Sequence, residues 1–322
     1  MKTQLTELLK IDHPIIMAPM FLITNVDMMV AALESGISGC IPALNYRTVE
    51  EFTSALKEIR RRSSQSLGVN LIVNKSNVQY KKQLHACLDL GIDYFITSLG
   101  SPEETIRESK KSGIKVFCDV IDEKYARKVQ DLGADGVIAV NSGAGGHLGN
   151  IPATVLIPML KRACTIPVIS AGGVGSGAGI LAMLVLGADG VSIGSPFIAT
   201  TEAPVSEDYK RACVEYGAED IVLTDKISGT RLTAINTPYL KKIGVNQNFI
   251  ESFLNSNRQV KKYAKMLTYY RGMKVLEKAA FGASYKSVWV AGTSIEFTER
   301  IESVRDIVAR YVREMEEARK RL

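Results

Sequence analysis

Charge of one sign is scarce: 40 Lys and Arg stand against 34 Asp and Glu in 322 residues, a net charge of +6. With acids interleaved among the bases, so thin a surplus excludes the basic surface that nucleic-acid proteins need. Paired cysteines are lacking as well. Cys40, Cys87, Cys118, Cys164 and Cys213 are odd in number, widely spaced and without a C-x-x-C, which excludes a disulfide framework and a zinc ribbon. A reducing, cytoplasmic setting is the expectation. No apolar run reaches the ~18 residues of a membrane span, and the opening MKTQLTELLKID breaks its apolar residues with Thr, Glu, Lys and Asp. Neither a span nor an export signal is expected. Histidine is rare, and His147 has no second histidine or carboxylate at ligand spacing, so no metal site is expected.

At 46% hydrophobic and 23% charged, the composition is that of a globular chain and excludes disorder. Short, continuous apolar runs begin at Pro14 (PIIMAPM), Gly39 (GCIPAL), Leu67 (LGVNLIV), Tyr94 (YFITSLG), Lys115 (KVFCDV), Gly136 (GVIAVNS), Pro167 (PVISAGG) and Gly190 (GVSIGSPF). They recur about every 25 residues, the length of a strand, a helix and two short loops. The segments between them read as helices, most of which end at Gly36, Gly91, Gly113, Gly133 or Gly187, where a left-handed residue closes a helix. LGADGV occurs twice, from Leu132 and from Leu186, marking the same helix-to-strand event. Eight equal units favour an α/β fold of the (β/α)8 TIM-barrel type over an open, doubly wound sheet.

The expected barrel comprises 1–200 and 285–322. Residues 201–284 are expected to form a small, mostly helical cap, with a polar loop SGTRLTAINTP near Ser228 and a helical, Lys-rich stretch over 250–280. From Glu296 the apolar residues keep helical spacing and predict a C-terminal helix packed on the barrel.

Barrel active sites lie at the C-terminal ends of the strands. Those ends carry Ala18, Pro19 and Met20, then Asn70, Asp119, the NSGAGGHLG loop and the SAGGVGSGAG loop, and finally GSPFIAT. Gly172, Gly173, Gly194 and Ser195 follow strands seven and eight, where backbone N–H groups commonly hold a phosphate. Gly173, Gly175 and Ala178 also spell a dinucleotide fingerprint. It follows the seventh strand rather than the first, and Asp189 stands before the eighth, so this motif alone is weak. His147, after two glycines on the strand-six loop, has a pKa suited to proton transfer. The alternative is a loop histidine satisfied by a backbone carbonyl. Cys118 lies on the opposite strand face from Asp119 and reads as a buried structural thiol.

The motifs IIMAPM, GVN, AGGHLG, SAGGV, GSPFIAT, SGTRLTAIN and WVAG, in this order, resemble the nitronate monooxygenase (2-nitropropane dioxygenase) family of FMN-dependent barrels. Relatives of that family include FMN-dependent enoyl-acyl-carrier-protein reductases. The resemblance runs from about Pro14 to Val308. It implies a flavoprotein oxidoreductase binding FMN, with Ala18, Pro19, Met20, Asn70, Asp119, Gly145, Ala171, Gly172, Gly173, Gly194 and Ser195 as cofactor-binding residues. His147 would be the catalytic base or would orient the substrate. The implied partners are a small-molecule substrate, either a nitronate or an enoyl or quinone acceptor, with O2 and in some members NAD(P)H. A homodimer is compatible with it. The chain departs from the family at Val140-Asn141-Ser142-Gly143, at Asp119 where some relatives have lysine, and at Thr293 where many have glutamine. Three readings are therefore carried forward: oxidative denitrification of alkyl nitronates, NAD(P)H-dependent reduction of an enoyl thioester or quinone, and a phosphate-binding barrel without redox chemistry.

Overall fold

Every one of the eight apolar runs is a strand, and each pairs in parallel with the next: β1 (Ile15–Met17), β2 (Ser38–Pro42), β3 (Leu67–Ile72), β4 (Tyr94–Ser98), β5 (Lys115–Val120), β6 (Gly136–Val140), β7 (Val168–Ala171) and β8 (Gly190–Ile193). Pairing of β8 with β1, through Ile15↔Val191 to Met17↔Ile193, closes the barrel and excludes the doubly wound sheet. This computed structural model describes residues 1–74, 76–225, 231–246 and 288–321.

The runs are continuous because both strand faces are buried. Ile15 and Met17 face the surrounding helices, while Ile16 points inward with Cys40, Tyr94, Ile96, Phe117, Ile138 and Ile169. Tyr94 fills the space over Gly68, where a Cβ would lie 2.2 Å from its ring, and meets Phe117 edge-on at 5.5 Å. Its hydroxyl donates to Gly39 O at 2.9 Å, which satisfies the one polar atom on that ring. Cys118 faces outward into the strand–helix layer and is buried.

The bottom of the barrel is closed by α1 (Gln4–Leu9), capped by Thr3 and Thr6, whose Leu5 and Leu9 join Ile11 in the interior cluster. The same stretch drew notice in the sequence only as too polar for a signal. Around the barrel run α2 (Val26–Glu34), α3 (Val49–Arg62), α4 (Tyr80–Leu90), α5 (Glu103–Ser112), α6 (Glu123–Leu132), α7 (Ala153–Ala163) and α8 (Gly177–Val185). Gly36, Gly91, Gly113, Gly133 and Gly187 all have positive φ, between 62° and 103°, as the helix-ending pattern requires.

After β8 come α9 (Glu207–Glu215), an antiparallel pair β9 (Ile221–Thr224) and β10 (Leu232–Ile235), and α10 (Pro238–Ile243). The described part of the cap thus holds strands beside helices. LTAI, inside the expected polar loop, is a strand buried along its length, with Leu232 and Ala234 packed on Leu240 and Val288. Its polar flanks hide four buried residues. The Lys-rich stretch over 250–280 lies outside the described residues. The last helix, α11 (Val304–Arg319), buries Val304, Ile307, Val308, Tyr311 and Met315 against α8 and α2. Among the described residues no helix is long and apolar enough to cross a membrane.

Candidate active site

The C-terminal ends of the strands surround a mostly apolar cavity of about 1300 Å³. Ala18, Pro19, Met20, Asn70, Asp119, Gly145, His147, Ala171, Gly172, Gly173, Gly194 and Ser195 all line it. Residues 177 positions apart in sequence meet there because parallel strands deliver all their C-terminal ends to one face. Among the described residues no His, Cys, Asp and Glu cluster could hold a metal.

One wall carries a hydrogen-bonded row across three strand ends. The Asn70 amide donates to Ile96 O at 3.0 Å and to Ser98 Oγ at 2.9 Å, and the Ser98 hydroxyl donates to Asp119 Oδ2 at 2.5 Å. Both Asn70 amide hydrogens are thereby used, so its Oδ1 has only acceptor capacity to offer the cavity. Burial pushes the Asp119 carboxyl up to about 6, against the stabilising Ser98 bond. Ser98 was missed in the sequence, although as the last residue of β4 it stands at the same level as the residues that were noticed.

The opposite wall is built from the turns after β6, β7 and β8. Asn141, 2% exposed, accepts from Gly143 N–H at 2.8 Å and donates to Gly172 O at 3.0 Å, while Gly173 N–H donates to Gly143 O at 2.9 Å. These bonds stitch two turns together and leave Gly173 N–H committed within the protein. Gly172 has φ 113°, and a Cβ on it would lie 2.4 Å from Ala144 N, so the approach of the two turns demands glycine there. Gly194 differs. Its φ is −117°, and a Cβ would make ordinary contacts at 3.5 Å with Ala18 and Met20. Ser195 Oγ accepts from Gly292 N–H at 2.8 Å, which ties the WVAG segment to the turn after β8.

The His147 ring opens onto the cavity. Protein atoms around it lower its pKa by desolvation, which favours the neutral imidazole. No described residue hydrogen-bonds either ring nitrogen, so the backbone-satisfied alternative is not what the structure contains.

Other lining residues gave no usable signal. Leu22 and Leu99, at φ 62° and 58°, are strained non-glycine positions in the loops after β1 and β4. Leu22 N–H is held by Asn45 Oδ1 at 2.8 Å. Tyr209 of the cap stacks on Trp289 at 5.6 Å and donates to Val290 O at 2.5 Å, bringing an aromatic wall to the cavity from outside the barrel.

A closed (β/α)8 barrel with an apolar cavity at the C-terminal strand ends is an enzyme scaffold. Residues 75–314 match the family model described as nitronate monooxygenase, and the chain belongs to that family, which makes it a flavin-dependent oxidoreductase. It is similar to FabK from Thermotoga maritima, with a TM-score of 0.87 and 27% identity over 100% of this chain and 98% of that one. It is 29% identical to a probable nitronate monooxygenase of Staphylococcus haemolyticus, covering 74% of this chain and 79% of the relative. It is also 27% identical to a hydroxy-methyl-oxo-octahydroindene-carboxyl-CoA dehydrogenase of Rhodococcus jostii, covering 83% of this chain and 74% of that protein. Family membership sets aside the reading as a barrel without redox chemistry.

Proposed function

We propose that the chain is an FMN-dependent monooxygenase of alkyl nitronates, consuming O2 and releasing a carbonyl compound and nitrite. The observation that carries this reading is the His147 imidazole, hydrogen-bonded to no described residue and set at an apolar cavity beside the turns after β6, β7 and β8. The residues fit FMN. Gly172, Gly173 and Gly194 leave the turns after β7 and β8 without side chains toward a phosphate, with Gly173 N–H itself already bonded to Gly143 O, and Asn70 Oδ1 and Asp119 offer acceptors to an N–H edge. In this reading 1–200 and 285–322 hold the cofactor and 201–284 covers it. Bound there, FMN supplies the reversible electron acceptor that side chains do not provide. The protein's part is to exclude water with Met20, Ile96 and Val290, to orient the nitronate, and at His147 Nδ1 or Nε2 to take a proton when the substrate arrives as a neutral nitroalkane. The test is chromatography of the released pigment together with nitrite and O2 measured on propionate 3-nitronate. FAD, or no nitrite, would overturn the reading.

A second reading, NAD(P)H-dependent reduction of an enoyl thioester or quinone, is favoured by size. At about 1300 Å³ the cavity exceeds the ~300–1,000 Å³ of most ligand pockets. Lys124 and Lys128, one turn apart on α6, and Arg231 of the cap line it and form no ion pair among the described residues, which suits a long substrate with an anionic end. Anaerobic mixing with NADH separates the two readings. Bleaching of the flavin favours the reductase.

A further inference from the structure

Strand β10 meets the loop after β6 at one residue, Thr233, which pairs with Gly146 as an antiparallel bridge. Thr233 N–H donates to Gly146 O at 3.0 Å, Gly146 N–H donates to Thr233 Oγ1 at 2.9 Å, and the Thr233 hydroxyl donates to Ala144 O at 3.2 Å. A single side chain and its own backbone thus satisfy both polar groups of the residue before His147 and the carbonyl two residues earlier. Thr233 is 5% exposed, so bulk water does not compete for these bonds. Gly146 has φ 74°, the left-handed turn that swings the chain into His147. The loop is closed from its other side by Ser195 and Gly292, since a Cβ on Gly145 would lie 2.6 Å from Ser195 Oγ and 2.9 Å from Gly292 N.

The imidazole has no hydrogen bond of its own to a described residue, so its location follows from the backbone that carries it. We propose that Thr233 is a positioning residue for His147, through which the cap strand fixes the imidazole over the cavity by holding the Ala144–Gly146 backbone. Thr233 does not line the cavity, and its hydrogen bonds to this loop go to Gly146 and Ala144 rather than to the ring. Its hydroxyl is the one side-chain group of the cap that bonds this loop among the described residues, and it does so across 87 positions of sequence. A displacement of about 1 Å at a reacting group can cost on the order of 100-fold in rate. The role of the positioned ring rests on the function proposed above, but the coupling of Thr233 to the ring does not.

Thr233→Val keeps the branched shape and the backbone pairing while removing the hydroxyl. Thr233→Ser restores it. The ring resonances of His147 in the flavin-loaded protein, labelled at histidine and assigned with His147→Ala, report the coupling without any substrate. In Thr233→Val those resonances shift or broaden, and the titration midpoint of the imidazole rises toward that of a solvated histidine. Thr233→Ser returns both to the parent values. With a neutral nitroalkane, kcat falls roughly 10- to 100-fold in Thr233→Val while KM moves far less, and flavin content is unchanged. Parent-like His147 resonances in Thr233→Val would overturn the proposal whatever the turnover, as would a serine variant that fails to restore them. If the valine variant does not fold, Thr233→Ala gives the same comparison, and unperturbed resonances in it overturn the proposal equally. A parent enzyme inert toward nitroalkanes refutes the functional reading alone, because the resonances still decide the role of Thr233.

Discussion

The turns after β7 and β8 both carry glycine, but the backbone needs it in only one of them, and substituting alanine at each should separate the two. At Gly172 an added Cβ would press on Ala144 N at 2.4 Å and Asn141 Oδ1 at 2.8 Å, from a φ of 113° that L-residues rarely adopt. Holding alanine in such a conformation costs about 1–3 kcal/mol. Pushing apart two turns already bonded through Asn141 costs about another 1–3 kcal/mol by overpacking. For a chain of 322 residues 1 kcal/mol moves Tm by about 1.5 °C, so Gly172→Ala should melt roughly 3–9 °C below the parent. Displacement of the turn should also release flavin. Gly194→Ala, with φ −117° and 3.5 Å contacts, should stay within about 0.5 kcal/mol of the parent. Thermal melts followed by circular dichroism, with flavin absorbance read after gel filtration, measure both effects. A Gly172→Ala variant that melts with the parent would refute the reasoning, and so would a Gly194→Ala variant that falls as far as Gly172→Ala.

Gly194→Val should weaken flavin retention by filling the cavity beside Ala18 and Met20, while Lys320→Ala should not; equal retention in ultrafiltration would remove Gly194 from the phosphate site. His147→Ala should leave Tm and flavin content nearly unchanged and lower turnover of a neutral nitroalkane about 10²- to 10⁴-fold, with a smaller loss on a preformed nitronate. Full activity on both substrates would exclude the ring from the chemistry. Burial raises the Asp119 carboxyl from 3.8 to about 6, so the folded protein keeps a proton that the unfolded chain releases between those values. Stability therefore falls as pH rises from about 4 to 6, by at most about 3 kcal/mol, and is level above; in Asp119→Asn denaturant titrations across that range this slope should be absent. Tyr94→Phe strips the hydroxyl that donates to Gly39 O inside the barrel and should cost about 1–3 kcal/mol in the same titrations.

The strands were legible because a strand buried on both faces reads as an unbroken apolar run, and because the glycines at 36, 91, 113, 133 and 187 punctuate those runs wherever a helix ends. That the strand-end residues line a cavity was legible for the same reason, since a barrel delivers the last residues of every run to one face. What escaped notice acts at long range or through backbone. Leu5 and Leu9 make a helix of six residues whose partners are strands throughout the chain, so no local pattern sets α1 apart. Ser98 matters only because Asn70 and Asp119 stand on either side of it. Thr233 gains its meaning from Gly146, and a leucine carries no mark of the left-handed backbone at positions 22 and 99. Gly194 was singled out for the approach of a phosphate to the backbone, and its neighbours in sequence carry no sign that the turn itself has room for a side chain there.

The stopper at the bottom of the barrel is made first but cannot be seated until the barrel closes. Leu5 lies over Gly190, so close that a Cβ on that glycine would sit 2.3 Å from Leu5 Cδ2, and this seat does not exist until β8 has closed the barrel onto β1. A six-residue helix does not hold itself together in water. During synthesis the segment must wait for about 185 more residues, roughly 10–40 s at ordinary rates of chain elongation. Contacts between residues so far apart in sequence slow folding. Closing the barrel and plugging it are therefore one event, and until it happens the oldest apolar residues of the chain are also its least protected.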